Sequence, residues 1–227
     1  MTTPATVPAD LKQRLKDSYD SIAPKYNAWT IPNSQQRLQY LTQLLDLLPP
    51  GDSELNLLEL GCGCGVPVTQ KLLEHGPKVQ VTANDISTAQ VAAARENLAS
   101  VPGVGERLIL VEGDMMALEV AEGSLHAVIA MYSIIHLPRD EQVVLLGKIA
   151  RWLKPGGFLL ANFSDESTEG VVYEGWMGEK GWVFWSGYGA DGTRGKIEET
   201  GLEVVLGEVA QDAVKSSFLW VIAKRVL

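Results

Sequence analysis

Hydrophobic and polar positions follow one rhythm up to about residue 50 and another after it. In "ADLKQRLKDSYDSIAPKYNAW" apolar residues recur at helical intervals, which predicts a helix from Pro8 to about Asp20. Ser21–Pro24 reads as its breaker. "NSQQRLQYLTQLLDLLPPG" predicts a second helix. Asn33 is its candidate N-cap, Leu38, Leu41, Leu44, Leu45 and Leu48 form its stripe, and Pro49-Pro50-Gly51 end it. Residues 1–9, rich in Thr, Pro and Ala, predict disorder.

After Gly51 short apolar runs alternate with helical segments. Strands are predicted at Leu55–Leu60, Val79–Asn84, Leu108–Glu112, Ala127–Tyr132 and Phe158–Phe163. Helices are predicted at Val66–His75, at Ser87–Ser100 with Ser87 as N-cap, and at Asp140–Leu153, the last ended by "KPGG". This alternation argues for a parallel sheet with helices on both faces. "GLEVVLGEVA" and "SSFLWVIAKR" follow each other closely and predict an antiparallel hairpin. No repeat, low-complexity tract or polar linker divides the chain, so its 227 residues read as one domain.

Charge narrows the partners. Lys and Arg number 19 against 28 Asp and Glu, a net charge of −9. Such a protein repels nucleic acid phosphates and gains little from anionic membranes. No apolar run approaches a membrane span, and the N-terminus lacks a basic segment followed by an apolar one. Two cysteines without a secretion signal fit a reducing compartment, so the expectation is a cytoplasmic protein acting on a small molecule.

Both cysteines lie in "LLELGCGCGVP", between the first core strand and its helix. Cys62 and Cys64, two residues apart, are poorly placed for a disulfide, and no matching Cys/His cluster completes a metal site. The glycines carry the signal instead. Gly61, Gly63 and Gly65 let backbone N–H groups approach a ligand at the carboxyl end of the strand. A pyrophosphate loop would read G-x-G-x-x-G, but Val66 and Pro67 occupy its end here. Glu59 just before the loop would disfavour a pyrophosphate and favour a cationic headgroup. Asp85, 20 residues after Gly65, stands past the second strand, where an acid accepts from a ribose diol. Asp114 stands past the third strand, placed to accept from an exocyclic amine, with Met115 beside the ring. An adenine, a free ribose diol and a cationic amino-acid tail together describe S-adenosylmethionine.

"ELGCGCG", "VTANDIS", "VEGDMMAL", "HAVIAMYSIIHLPRDEQ" and "WLKPGGFLLANF" resemble, in order and spacing, the successive motifs of class I S-adenosylmethionine-dependent methyltransferases. The resemblance covers roughly Leu55 to Phe163. It implies a doubly wound, Rossmann-like α/β fold with a seven-stranded sheet, the last-inserted strand antiparallel, and an N-terminal helical cap. Residues 1–50 would be that cap, 51–163 the cofactor core, 164–195 a substrate lid and 196–227 the closing hairpin. His126 stands where the family often has Asp, at a position that is usually structural. The implied cofactor set is Tyr19, Tyr26, Glu59, Gly61, Cys62, Gly63, Gly65, Asp85, Ile86, Asp114, Met115, Met131, Tyr132 and Ser133. Tyr19 and Tyr26 are carried over from a cofactor-covering helix that "SYDSIAPKYNAW" resembles; simple packing of that helix is the competing reading.

The acceptor side is less specific. His136, whose free pKa lies near neutrality, is the one obvious base, or else a loop residue bonded to backbone. "SDESTEGVVYEGWMGEKGWVFWSGYGADGT", rich in aromatics and glycine, suits a lid over substrate. Trp29, Asp165, Tyr173, Trp176 and Trp185 complete the candidate acceptor set, although the aromatics also suit packing of the lid onto the sheet. The aromatic lid argues for an apolar or aromatic acceptor, whether its reacting atom is O, S or N. The same motifs would also serve a cyclase or isomerase that uses the cofactor non-covalently, or a scaffold that only binds it.

Overall fold

Strands alternate with helices much as the hydrophobic pattern predicts, in a computed structural model that describes residues 3–4, 6–50, 52–212 and 216–226. Expectations falling on residues 1, 2, 5, 51, 213–215 and 227 lie outside the described residues. The elements run β1 (Thr3–Pro4), α1 (Leu11–Thr30), α2 (Gln35–Leu47), β2 (Leu55–Leu60), α3 (Val68–Glu74), β3 (Val79–Asp85), α4 (Thr88–Leu98), α5 (Val104–Arg107) and β4 (Leu108–Glu112). They continue with β5 (Leu125–Ala130), α6 (Arg139–Trp152), β6 (Leu153–Ser164), β7 (Ser167–Glu174), β8 (Trp182–Tyr188), α7 (Gly189–Glu199), β9 (Leu202–Gln211) and β10 (Ser217–Arg225).

Seven strands form one sheet in the order β4-β3-β2-β5-β6-β10-β9. The pairs β2·β3, β2·β5, β3·β4 and β5·β6 are parallel, and β10 inserts antiparallel between β6 and β9. This is the expected doubly wound α/β fold. The period of two along each strand splits its residues between two cores. Leu57, Ile129 and Leu160 pack with Tyr40, Leu41 and Leu44 of α2 and Leu72 of α3. Their neighbours Leu58, Val128 and Leu159 pack with Leu145 and Ile149 of α6 and Ile197 of α7. Burial on both faces is why these strands read as continuous apolar runs. Every parallel strand delivers its carboxyl end to the same edge, and the crossover between β2 and β5 opens the crevice there.

Three expectations fail for physical reasons. The first helix does not break at Ser21–Pro24 but runs to Thr30 with Pro24 inside it. Proline there removes one hydrogen bond to the carbonyl four residues back. Packing overrides the loss, because Leu11 and Leu15 seat α1 on Val172, Trp182 and Phe184, and Ile22 is also buried. The second helix takes Ser34 rather than Asn33 as its N-cap, and Asn33 donates to the Trp29 carbonyl at 2.8 Å. The disorder expected over residues 1–9 is replaced at Thr3–Pro4 by a short strand pairing with Val171 and Val172.

The stretch read as a substrate lid contains a hairpin. β7 and β8 pair antiparallel, β1 adds a third strand, and α7 begins directly after β8. "WVFWSGY" is buried at most of its positions and carries no period of two that would mark it as a strand. The hairpin packs on one side of α1, and the other side of α1 meets α4 and the carboxyl edge of the main sheet.

Candidate functional site

The loop after β2 is built by main-chain bonds. Gly61 takes φ +76°, and the N–H groups of Gly61 and Cys62 both donate to the Asn84 carbonyl, at 2.8 and 2.9 Å. The buried Asn84 amide in turn donates to the carbonyls of Val111 and Gly113. One asparagine therefore ties together the loops after β2, β3 and β4. Sequence reading passed over it as an ordinary strand residue. An alanine Cβ at Gly61 would lie 2.5 Å from the Ser133 Cβ, in a left-handed conformation that costs about 1–2 kcal/mol for an L-residue. Gly61→Ala is therefore expected to lower the melting temperature by several degrees and to abolish nucleoside binding, as thermal melts and calorimetry would show.

Asp85 is held at both oxygens. Oδ2 accepts from Gly63 N at 2.8 Å and Oδ1 from Ser87 N at 2.9 Å. Each oxygen keeps a second lone pair for a ligand. Burial raises its carboxyl above the usual range against the opposing pull of these N–H groups. Ser87 caps α4 as predicted, accepting from Gln90 N. Asp114 caps the turn after β4 through Oδ1, which accepts from Met116 N at 3.0 Å and faces Lys12 Nζ at 3.4 Å. Lys12 also pairs with Glu141. Lys12, Lys16 and Asp20 fasten α1 across this edge, Lys16 to Glu112 at 2.8 Å and Asp20 as acceptor from Ser87 Oγ at 2.6 Å.

These residues line two open pockets and a smaller one, whose volumes include space open to solvent. The first, about 670 Å³, is lined by Gly61, Gly63, Asp85, Ile86, Asp114, Met115, Met131, Tyr132, Ser133, Tyr19, Tyr26 and His136. That is the predicted cofactor set less three, joined by His136 of the predicted acceptor side. Glu59 and Cys62 line the smaller adjoining cavity of about 420 Å³. Gly65 lines none of these three; its missing Cβ makes room for Leu98 and Ala94 of α4, so it serves helix packing. Both cysteines are free and buried, and burial pushes their thiols up, away from reactivity.

The smaller cavity is polar and holds a carboxyl and a guanidinium. Glu59, 4% exposed, accepts from Thr69 Oγ1 at 2.5 Å, and burial lifts its carboxyl to about 8. Arg37, at the start of α2, lines the same cavity; its guanidinium lies 5.1 Å over the Tyr132 ring and its buried Nε has no hydrogen-bond partner among the described residues. A carboxyl and a guanidinium beside a glycine loop suit a zwitterionic amino-acid group. Sequence reading missed Arg37, since nothing in a leucine-striped helix marks its first turn as site-facing.

The second large cavity, about 750 Å³, is lined by Trp29, Trp176, Trp185, Phe218 and Arg37, and it shares Tyr19, Tyr26, Tyr132 and His136 with the first. Trp176 comes from the tip between β7 and β8 and packs on Tyr26 at 5.6 Å and Tyr19 at 5.9 Å between ring centroids. Two predicted residues fall away. Tyr173 stands behind Trp185, with centroids 4.9 Å apart, and does not line the cavity. Asp165 is not in its wall either; its carbonyl accepts from Ala190 N at the start of α7. His136 is at the boundary as expected, but its ionisation is not near neutrality: burial holds it down at about 4. Among the described residues no group of three or more His, Cys, Asp or Glu comes together as a metal site, and no helix is long and apolar enough to cross a membrane.

Comparison with known proteins matches the same region. A family described as "Methyltransferase domain" matches residues 57–157. A ubiquinone/menaquinone biosynthesis C-methyltransferase from Methylobacterium nodulans is 30% identical over 171 residues, which cover 74% of this chain and 66% of that protein. A carboxy-S-adenosyl-L-methionine synthase from Stutzerimonas stutzeri is 33% identical over 51% of this chain and 49% of its own. The chain thus spans about half to two thirds of the length of these curated relatives. A Burkholderia thailandensis N1-methyltransferase, solved with 1,6-didemethyltoxoflavin and S-adenosylhomocysteine, shares the fold at TM-score 0.75 and 16% identity, covering 99% of this chain and 93% of the other.

Proposed function

Because the chain belongs to the class I S-adenosylmethionine-dependent methyltransferases, we propose that it transfers a methyl group from S-adenosylmethionine to a small, planar, apolar or aromatic acceptor. The observation that carries this reading is the meeting of the two cavities at four residues, Tyr19, Tyr26, Tyr132 and His136. One cavity offers acids for an adenosine, the other an aromatic box. Only at their junction would a methyl group face an acceptor.

The donor set suits the cofactor. Asp85 would accept from the ribose hydroxyls and Asp114 from the adenine amine. Glu59 would meet the ammonium and Arg37 the carboxylate of the methionine end, giving the orphaned Nε a partner. The bound sulfonium supplies an electrophilic methyl group. The chain supplies position and dryness: α1 covers the first cavity, and Trp176 and Trp185 wall the second. The aromatic faces favour flat acceptors through stacking.

Calorimetric titration with S-adenosylmethionine, S-adenosylhomocysteine and NAD tests the first half. Micromolar binding of both sulfur nucleosides and none of NAD is expected; binding of NAD alone would sink the reading. The second half is tested by screening flat acceptors with cofactor labelled at the methyl group. Label appearing in product is the expected outcome. A transformed product without label would favour the cyclase reading, for which a fold neighbour exists in the [4+2]-cyclase SpnF, at TM-score 0.71 and 18% identity over 99% of both chains.

A further inference from the structure

The junction of the two cavities contains a hydrogen-bonded chain that the methyltransferase reading alone does not require. His136 Nδ1 lies 2.9 Å from the Phe184 carbonyl of β8. A carbonyl only accepts, so Nδ1 carries the ring hydrogen. Nε2 is then an acceptor, and Tyr19 Oη, 2.9 Å away, donates to it. The two rings meet edge to face at 5.6 Å. Tyr19 spends its only hydrogen on His136 and keeps oxygen lone pairs. Both residues line both cavities, so those lone pairs belong to the place where acceptor and methyl group would meet.

Resting on the proposed methyl transfer, we infer that Tyr19 and His136 form a proton relay for a hydroxyl-bearing acceptor, a phenol or an enol. Tyr19 is the catalytic residue, because it touches the acceptor, and His136 is a positioning residue that takes the proton through it. The acceptor O–H donates to Tyr19 Oη. As the acceptor oxygen bonds to the methyl carbon and the carbon–sulfur bond breaks, the acceptor proton passes to Tyr19 and the Tyr19 proton to His136 Nε2. The sulfonium charge is lost and an imidazolium charge gained, so the total is unchanged. The proton then leaves to solvent and both residues return to their starting state.

The environment sets the starting state of both groups. His136 is half-buried, and desolvation keeps it neutral before transfer. The same desolvation makes its imidazolium costly, so it takes the proton only as the sulfonium charge is lost. Burial likewise holds the Tyr19 phenol well above its usual range, so Tyr19 relays rather than ionises. The groups packed on the imidazole are Tyr19 of α1 and Phe184 and Trp185 of β8. The charged side chains in the wall of the first cavity are Lys12, Asp85 and Asp114. The Phe184 carbonyl fixes the tautomer, so the hairpin that roofs the acceptor also orients the relay.

Nitrogen-15 NMR of the imidazoles in the whole protein tests the geometry without any acceptor. His136, assigned by its loss in His136→Gln, should stay neutral from pH 5.5 to 8 with hydrogen on Nδ1. Its Nε2 resonance should move in Tyr19→Phe. Hydrogen on Nε2, or titration near 6.5, would overturn the relay. Its chemistry is tested with two probes of one shape, 2-naphthol and 2-naphthalenethiol, at a pH where the thiol is ionised and the naphthol is not. Both variants should lower the ratio of naphthol to thiolate methylation by roughly 100-fold or more, the range of general acid–base catalysis, beyond any loss the two probes share. Equal losses on both probes would overturn the relay and leave Tyr19 and His136 as wall residues. If wild type binds S-adenosylmethionine but methylates neither probe, the NMR result decides. Failure to bind S-adenosylmethionine would instead strike the methyltransferase reading.

Discussion

Asp85→Ala is expected to weaken S-adenosylmethionine binding by about 100-fold or more and to lower the melting temperature of the free protein as well. Charge-assisted hydrogen bonds contribute about 1.5–3 kcal/mol each, and two ribose hydroxyls would lose theirs. Even one full bond and part of a second account for about 3 kcal/mol, or two orders of magnitude in affinity. The stability loss comes from elsewhere. Gly63 N and Ser87 N, both now bonded to the carboxylate, would lose their acceptor, and the glycine loop would lose its tie to the head of α4. Asp85→Asn separates the two effects. One amide oxygen still accepts from one of these N–H groups while the amide NH2 faces the other, so part of the stability should return while affinity stays low for want of charge. Calorimetry and thermal melts on the two variants give the answer. Unchanged affinity in Asp85→Ala would remove the ribose assignment and leave Asp85 as a purely structural clamp.

What was legible in the sequence was whatever main chain and pattern dictate locally. The strand ends at Glu59, Asp85 and Asp114 could be placed because buried parallel strands read as apolar runs and the ligand edge of such a sheet is fixed by topology. The glycine loop and the Ser87 cap are likewise local signals. Arg37 and Asn84 were not legible. Arg37 faces the site only because α2 lies across the sheet with its first turn beside Tyr132, and Asn84 matters only because three strand ends are neighbours in space. Pro24 misled for the same reason: a local breaker lost to the tertiary packing of α1. Asp165 misled because an acid after a strand reads the same whether it faces a cavity or the start of a helix. His136 stands in the walls of both cavities, but its ionisation does not lie near neutrality, since burial is a property of the fold.

Cofactor binding is expected to release a proton, and Glu59 is its source. In the free protein burial lifts this carboxyl to about 8, so at pH 7 it is mostly neutral. A bound ammonium would favour the carboxylate and pull the value down. Below about 8, then, binding must displace a proton, and affinity should rise by about one decade per pH unit between pH 6 and 7.5, flattening toward 8. Titrations at pH 6.5 in two buffers of different ionisation heat should show close to one proton released per cofactor. In Glu59→Gln the release should vanish and affinity should lose its slope. Stability of the free protein has the opposite sign. The folded value lies above the unfolded value of 4.5, so the folded state holds the proton longer. The stability from this group is fully present below about 4.5 and is lost as pH rises through about 8. The melting temperature of the free wild type should therefore fall relative to Glu59→Gln between pH 5 and 8, and saturating cofactor should narrow the gap. A wild-type melting profile that falls as expected, with no proton released on binding, would show that the ammonium of the methionine end lies elsewhere; a profile parallel to that of the glutamine variant would show that Glu59 is already ionised in the free protein.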